Sequence, residues 1–164
     1  MYEVNFSGFG GQGILTSGVI LAQAGMSEGK KVTWLPSYGS AMRGGTANCV
    51  VKIGDEDIAS PYVLEPDILI ALNEPSLNLY APTVKDGGLV IVNTSIVEDT
   101  SVIREGLDVV NIPLTDIARE AGDVRAANTV VLGALLAKVA IVGNDSLIAA
   151  LHEKFNKNAK VAEL

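Results

Sequence analysis

YEVNFSGFGGQGILTSGVILAQAGMSEG, from Tyr2 to Gly29, is the stretch that decides the fold class. Up to Ser7 its polar and apolar side chains alternate, the two-residue period of a strand. A glycine cluster, Gly8 to Gly13, then breaks the alternation. Beyond it Ile14, Leu15, Val19, Leu21, Ala22 and Met26 recur at helical spacing to about Glu28, and Gly29 stands where a left-handed C-cap is wanted. Strand, glycine loop and helix in that order open a βαβ unit, whose crossover helix lies over a parallel sheet.

Outward from there the same reading continues. Lys31 to Leu35 is a second strand, stopped by Pro36, and Ser37 to Gly45 is too rich in Gly and Ser for regular structure. Thr46 to Ile53 and Asp57 to Ser60 flank Gly54-Asp55-Glu56 as a strand, tight turn and short antiparallel return, which makes the sheet mixed. Asp67 to Leu72 and Gly88 to Asn93 are continuous apolar runs, typical of strands covered on both faces, with a crossover helix within Glu74 to Val84. Leu107 to Ile112 adds a strand. Leu114 to Glu120, Arg125 to Val142 and Asp145 to Phe155 follow as helices, broken at Gly122 and Gly143, with Asn144 or Asp145 as a cap. No repeat, low-complexity segment or linker interrupts the chain. The expectation is one α/β domain over residues 1–164: a three-layer, Rossmann-like fold on a mostly parallel, mixed sheet.

Composition agrees. A hydrophobic fraction of 48% with only 5% aromatics describes a core of Val, Ile, Leu and Ala, the diet of buried parallel strands. The net charge of −7 repels a polyanionic backbone and argues against nucleic acid. The single cysteine, Cys49, excludes an internal disulfide and any cysteine-rich metal or iron–sulfur site in this chain, which suits a reducing compartment. No basic leader precedes the first strand, and no apolar run reaches the roughly 20 residues that span a bilayer. A cytoplasmic chain without membrane contact is expected.

Gly8-Phe9-Gly10-Gly11-Gln12-Gly13 satisfies G-x-G-x-x-G between a strand and a helix. Glycines let backbone approach a phosphate, and the unpaired N–H groups of the helix start point at it. The acid that would hold a nicotinamide dinucleotide's ribose is absent, because the second strand ends Trp34-Leu35-Pro36-Ser37; NAD is the weaker reading. The same glycines would also serve plain helix-on-strand packing, and the phosphate is favoured over it without excluding it. A second glycine-rich loop, Pro36 to Thr46, contains Arg43, the only arginine among the first hundred residues. Its guanidinium suits a bidentate phosphate or carboxylate, or equally an acidic side chain. Asp55, Glu56 and Asp57 read as a solvated turn, His152 as a helical histidine without a nucleophile partner, Cys49 as a small buried residue, and Met26 and Trp34 as core. No nucleophile–base pair emerges.

FSGFGGQG at Phe6 to Gly13, PSYGSAMRGGTANC at Pro36 to Cys49, DILIALN at Asp67 to Asn73, GGLVIVN at Gly87 to Asn93 and AANTVVLGALL at Ala126 to Leu136 together resemble the gamma subunit of 2-oxoacid:ferredoxin oxidoreductases. The resemblance covers nearly the whole chain in order, and the MRGGTANC stretch carries most of its specificity. It implies a subunit, inactive alone, of an enzyme that oxidatively decarboxylates a 2-oxoacid, joins the acyl group to coenzyme A and reduces ferredoxin. Thiamine diphosphate and the iron–sulfur clusters would then belong to alpha, beta and ferredoxin-like delta partners, and coenzyme A to a shared site. The positions matching the family's motifs are Gly8, Gly10, Gly11, Gln12, Gly13, Ser37, Tyr38, Arg43, Gly44, Gly45 and Thr46, and they are the candidate coenzyme-binding residues; no catalytic residue and no metal ligand is expected here. A free-standing nucleotide- or coenzyme-binding module and a purely structural assembly subunit are the alternatives.

Overall fold

The computed structural model describes residues 1–38 and 46–155. In chain order these form β1 (Tyr2–Phe9), α1 (Ile14–Ser27), β2 (Lys31–Tyr38), β3 (Thr46–Gly54), β4 (Ile68–Ala71), α2 (Glu74–Tyr80), β5 (Leu89–Asn93), β6 (Asp108–Ile112), α3 (Leu114–Glu120), α4 (Ala127–Lys138) and α5 (Asn144–Phe155). They build a six-stranded sheet in the order β2-β3-β1-β4-β5-β6. β1, β4, β5 and β6 pair in parallel, whereas β3 runs antiparallel to both β1 and β2. One reversed strand makes the sheet mixed.

The mixed sheet therefore has a different origin from the expected hairpin. Asp57 to Ser60 forms no strand; the chain after Gly54 is irregular down to Asp67, and Asp57 forms a solvent-exposed pair with Lys31 at 3.4 Å. Nor does Pro36 stop β2, which continues through Ser37 and Tyr38 with Pro36 opposite Cys49. β2 is an edge strand, and an edge tolerates a residue without an N–H because no neighbour needs the donor. The expected helix at Glu74 to Val84 resolves into α2 and a 3-10 turn at Ala81–Thr83. The helix expected from Arg125 to Val142 begins as a 3-10 turn at Val124–Ala126 and ends at Lys138, after which Ile141 and Val142 are buried in the core.

Side-chain alternation explains the layers. Ile68 and Ile70 of β4, Leu89 and Ile91 of β5, and Val4 and Phe6 of β1 face α1, α4 and α5, meeting Ile20, Leu21, Leu132, Leu135 and Leu147. Leu69, Ala71, Val90 and Val92 face the other way, against Leu77, Ala81, Val84 and Val97. Strands lined on both faces have no polar side, hence the continuous apolar runs. α1 lies close on β2 and β3: a Cβ on Gly18 would stand 2.5 Å from the Cys49 Sγ and 2.9 Å from the Trp34 Nε1. Neither Trp34 nor Met26 belongs to the core as expected: Trp34, on the edge strand with its indole edge against α1, is 37% exposed, and Met26 at the far end of α1 is 66% exposed. Among the described residues no helix is long and apolar enough to cross a membrane.

This topology fixes where a ligand belongs. From β1 the chain crosses through α1 to β2, whereas the parallel neighbour on the other side of β1 is β4, served by α2 on the opposite face. The order reverses between β1 and β4, and open α/β sheets bind ligands outside the carboxyl ends of the strands at such a point.

Candidate functional site

The glycine loop occupies that reversal point. It turns tightly, with the Gln12 N–H donating to the Phe9 carbonyl at 3.1 Å. Gly11 (φ 102°) and Gly13 (φ 77°) take left-handed conformations that side chains with a Cβ resist. A Cβ on Gly13 would also strike Asn128, at 2.5 Å, whereas Gly11 opens onto free space. Gly8 is small for a third reason: its Cβ would sit 2.6 Å from the Gln12 Oε1. The Gln12 side chain points inward. Its oxygen accepts from the Phe9 N–H (2.6 Å) and from the Asn73 Nδ2 (3.2 Å), and its nitrogen donates to the Leu72 carbonyl (3.3 Å).

α1 starts at Ile14 with Gly13 as N-cap, no side chain accepting from its first turn and no acid within it. An uncapped helix start leaves N–H donors and the positive end of the helix dipole available to an anion. Gly10, Gly11, Gly13, Ile14, Leu15, Thr16 and Ala47 line a cavity of about 320 Å³ at this point. Two further cavities adjoin the loop. One of about 180 Å³ lies over β4 and β5, between Gln12, Leu72, Asn93, Ile96, Thr115, Val124 and Arg125. Another, of about 220 Å³, lies between Thr16, Asp123, Arg125, Asn128 and Phe155. Gly11 borders all three.

The strands supply the polar walls at their carboxyl ends. Asn73, two residues past the end of β4, accepts from the Ser76 N–H and so caps α2. Asn93, the last residue of β5, donates to the Thr115 hydroxyl at 2.9 Å and accepts from the Ser95 N–H. Arg125 borders two of the cavities with its guanidinium 85% exposed. Asp123 holds it by contacts to Nε (3.0 Å) and to a terminal nitrogen (2.8 Å), and the pairing pulls the Asp123 carboxyl down and the guanidinium up in pKa. An exposed, oriented arginine of this kind can bind a phosphate or carboxylate.

The second candidate loop is only partly in view. Ser37 is exposed opposite Asn48, the Tyr38 backbone pairs with Ala47, and Thr46 pairs with Phe9 beside the glycine loop. Arg43, Gly44 and Gly45 lie outside the described residues. The two loops thus meet where Thr46 and Ala47 border Phe9 and Gly10. Asn73, Asn93, Thr115, Arg125 and Asn128 are site residues that sequence reasoning passed over. Only the asparagine that closes both DILIALN and GLVIVN could have signalled two of them.

The remaining candidates are placed elsewhere. Cys49 is buried, donates to the Ile14 carbonyl at 3.3 Å, and burial pushes its thiol up to about 12, far from thiolate reactivity at neutral pH. His152 is exposed on α5, and Asp55, Glu56 and Asp57 are exposed after β3. Among the described residues no group of three or more His, Cys, Asp or Glu could hold a metal ion. The site can bind and orient an anionic ligand.

Residues 3–164 match the family described as pyruvate ferredoxin/flavodoxin oxidoreductase. The chain is 41% identical over 164 residues to ketoisovalerate oxidoreductase subunit VorA of Methanothermobacter marburgensis, a match that covers 99% of this chain and 34% of that one. It is 36% identical to 2-oxoglutarate synthase subunit KorC of Methanocaldococcus jannaschii, covering 99% of this chain and 88% of the relative. The chain spans about a third of the VorA relatives it matches, and most of KorC. Among solved structures, the gamma subunit of a keto/oxoacid ferredoxin oxidoreductase from Geobacter sulfurreducens superposes with a TM-score of 0.80 at 29% identity, covering 99% of this chain and 94% of that one. 2-Oxoglutarate:ferredoxin oxidoreductase from Magnetococcus marinus, with 2-oxoglutarate, coenzyme A and succinyl-CoA bound, superposes with a TM-score of 0.87 at 25% identity, covering 99% of this chain and 29% of that one.

Proposed function

The chain belongs to the pyruvate ferredoxin/flavodoxin oxidoreductase family, and from that premise we propose that it is the gamma-type part of a 2-oxoacid:ferredoxin oxidoreductase. Such an enzyme decarboxylates a 2-oxoacid, transfers the acyl group to the thiol of coenzyme A and passes the electrons released to ferredoxin. In this reading alpha and beta chains carry thiamine diphosphate, and iron–sulfur clusters lie in partners that include a ferredoxin-like delta chain. The whole assembly works in the cytoplasm. Residues 1–164 act as one domain that covers the composite site, helps to hold coenzyme A and has no activity alone.

One observation carries the reading: the uncapped start of α1 and the open Gly10-Gly11 turn face a common cavity at the reversal point of the sheet. The pyrophosphate of coenzyme A meets N–H donors there, and the relative from Magnetococcus marinus has coenzyme A bound. Gly10, Gly11 and Gly13 give it backbone access, Gly8 and Gln12 shape the turn, and Ser37, Tyr38, Arg43, Gly44, Gly45 and Thr46 are the further candidates for contact with the coenzyme. Because the chain is acidic overall, attraction to the coenzyme is local and comes from Arg43, Arg125 and the helix start.

The test is recovery of the chain from a native anaerobic extract, followed by assay of 2-oxoacid- and coenzyme A-dependent reduction of a viologen dye. Co-purification with thiamine and iron–sulfur subunits and recovery of that activity are expected. Arg43→Ala in the assembled enzyme should raise the KM for coenzyme A several-fold. A chain that emerges alone and binds coenzyme A by calorimetry would overturn the subunit reading in favour of an independent binding module.

A further inference from the structure

At the seam between β1 and β4 the sheet loses a rung. The Leu72 N–H donates to the Ser7 carbonyl at 2.9 Å, which in a parallel ladder calls for the Phe9 N–H to donate next to the Leu72 carbonyl. It does not. The Phe9 N–H goes instead to the Gln12 Oε1, at 2.6 Å, and the Leu72 carbonyl receives the Gln12 Nε2, at 3.3 Å. The carboxamide of Gln12 has entered the ladder as a substitute peptide group, and the strands part around it. Gly8 has no Cβ, and the space this leaves is where the Gln12 Oε1 lies. That same oxygen accepts from the Asn73 Nδ2, and Asn73 in turn caps α2.

From this we infer that Gln12 is a positioning residue for coenzyme binding: its inserted carboxamide holds β1 and β4 apart and locks the Gly10-Gly11 turn with its open side toward the ligand. The inference rests on the proposed placement of coenzyme A at this loop. Gln12 touches no coenzyme atom in this account and acts through the backbone of the turn. Two of its three partners, the Phe9 N–H and the Leu72 carbonyl, are backbone groups, which need a hydrogen bond when buried. With the carboxamide gone, the missing rung closes directly or the turn loosens, and either change re-aims the N–H groups of Gly10 and Gly11.

The test uses the assembled enzyme and three variants of this chain. Gln12→Ala is expected to raise the KM for coenzyme A about tenfold, the equivalent of about 1.4 kcal/mol of binding, while the KM for the 2-oxoacid and kcat at saturating coenzyme A stay within about twofold. Gln12→Glu keeps the acceptor oxygen but loses the donor to Leu72 when ionised, and regains one when protonated. Its KM for coenzyme A should therefore fall toward that of the unaltered enzyme as the pH is lowered, a profile that loss of packing would not produce. Thr16→Asp, in the first turn of α1, is favourable for the helix yet places a negative charge in the proposed anion cavity, and should also weaken coenzyme A. If Thr16→Asp leaves the KM unchanged, the coenzyme is not held here, and both the placement and this inference fall. If Thr16→Asp acts and Gln12→Ala does not, the placement stands and the role of Gln12 is overturned. Should Gln12→Ala not assemble, Gln12→Glu decides: a pH-independent KM equal to that of the unaltered enzyme overturns the inference.

Discussion

Gly18 and Cys49 are one packing unit divided between α1 and β3, and each constrains what the other can be. A methyl group at Gly18 meets a sulfur at 2.5 Å and the edge of an indole at 2.9 Å, neither at the end of a long flexible side chain. Overpacking of this kind costs about 1–3 kcal/mol, so Gly18→Ala should lower the urea midpoint without changing the slope. Cys49→Ala removes the sulfur and makes room; the double variant should recover much of the loss, giving a coupling above about 0.5 kcal/mol in a double-mutant cycle. Strict additivity would show that α1 shifts bodily and that the contact is not specific. The thiol offers a second readout. Buried and held up to about 12, it should resist iodoacetamide at neutral pH in the folded chain and react promptly in denaturant. Its position on a strand beside Val50 and Val51 made its burial legible in the sequence, but its dependence on a glycine thirty-one positions away was not.

Between elements, charge does what apolar packing does not. Lys85, just before β5, reaches Glu3 of β1 and Asp67 at the head of β4, each at 2.8 Å, and Lys52 of β3 reaches Glu3 at 3.0 Å. Burial pulls the Glu3 carboxyl up, but the Lys85 and Lys52 ammoniums together outweigh it and hold the group below its ordinary 4.5. Its contribution is therefore present above that value and lost as pH falls through the lowered one. Burial pulls the Lys85 ammonium down, yet Asp67 and Glu3 leave it above its ordinary 10.5, so its contribution is lost only as pH rises through the raised value. Lys85→Met should flatten the fall in stability on the acid side, by no more than about 1 kcal/mol because the pairs are partly exposed, and urea midpoints from neutral pH downward measure it. An unaltered acid limb would refute the pairing. Sequence reading does well for elements whose period is local: β4, β5, α1 and α3 fall within a residue or two of their expected bounds. It fails where neighbours decide. Pro36 looked like a strand end because nothing in the sequence marks β2 as an edge, and the supposed return strand after Gly54 does not form because β3 already pairs with β1 and β2 on its two sides. The site divides the same way. The glycine loop announces itself, whereas Arg125, Asn93 and Thr115 reach it only because β5, β6 and the turn before α4 are brought over the same sheet edge.

Across the whole molecule the sheet is a shared wall, and that has a consequence for cooperativity. Ile68 and Ile70 of β4 pack into one layer while Leu69 and Ala71, on the same four-residue strand, pack into the other. Neither layer can melt without removing the backing of the other, so residues on both faces should unfold together as one domain. Leu132 of α4 and Leu77 of α2 are completely buried on opposite faces and provide the test. Leu132→Ala and Leu77→Ala should each cost about 2–5 kcal/mol, and because no contact is shared across the sheet their effects should add. Tryptophan fluorescence reports on Trp34, which packs against α1 on the first face, and far-UV circular dichroism reports on all helices. If the sheet couples the layers, both signals move to the same lower midpoint whichever leucine is cut. If Leu77→Ala instead splits the transition, with helix signal lost before Trp34 responds, then α2 and its turn form a separately melting unit. The loop that Gln12 ties to Asn73, at the head of α2, would then be supported by the weaker of the two layers, and coenzyme affinity in the assembled enzyme would fall with temperature before the main core gives way.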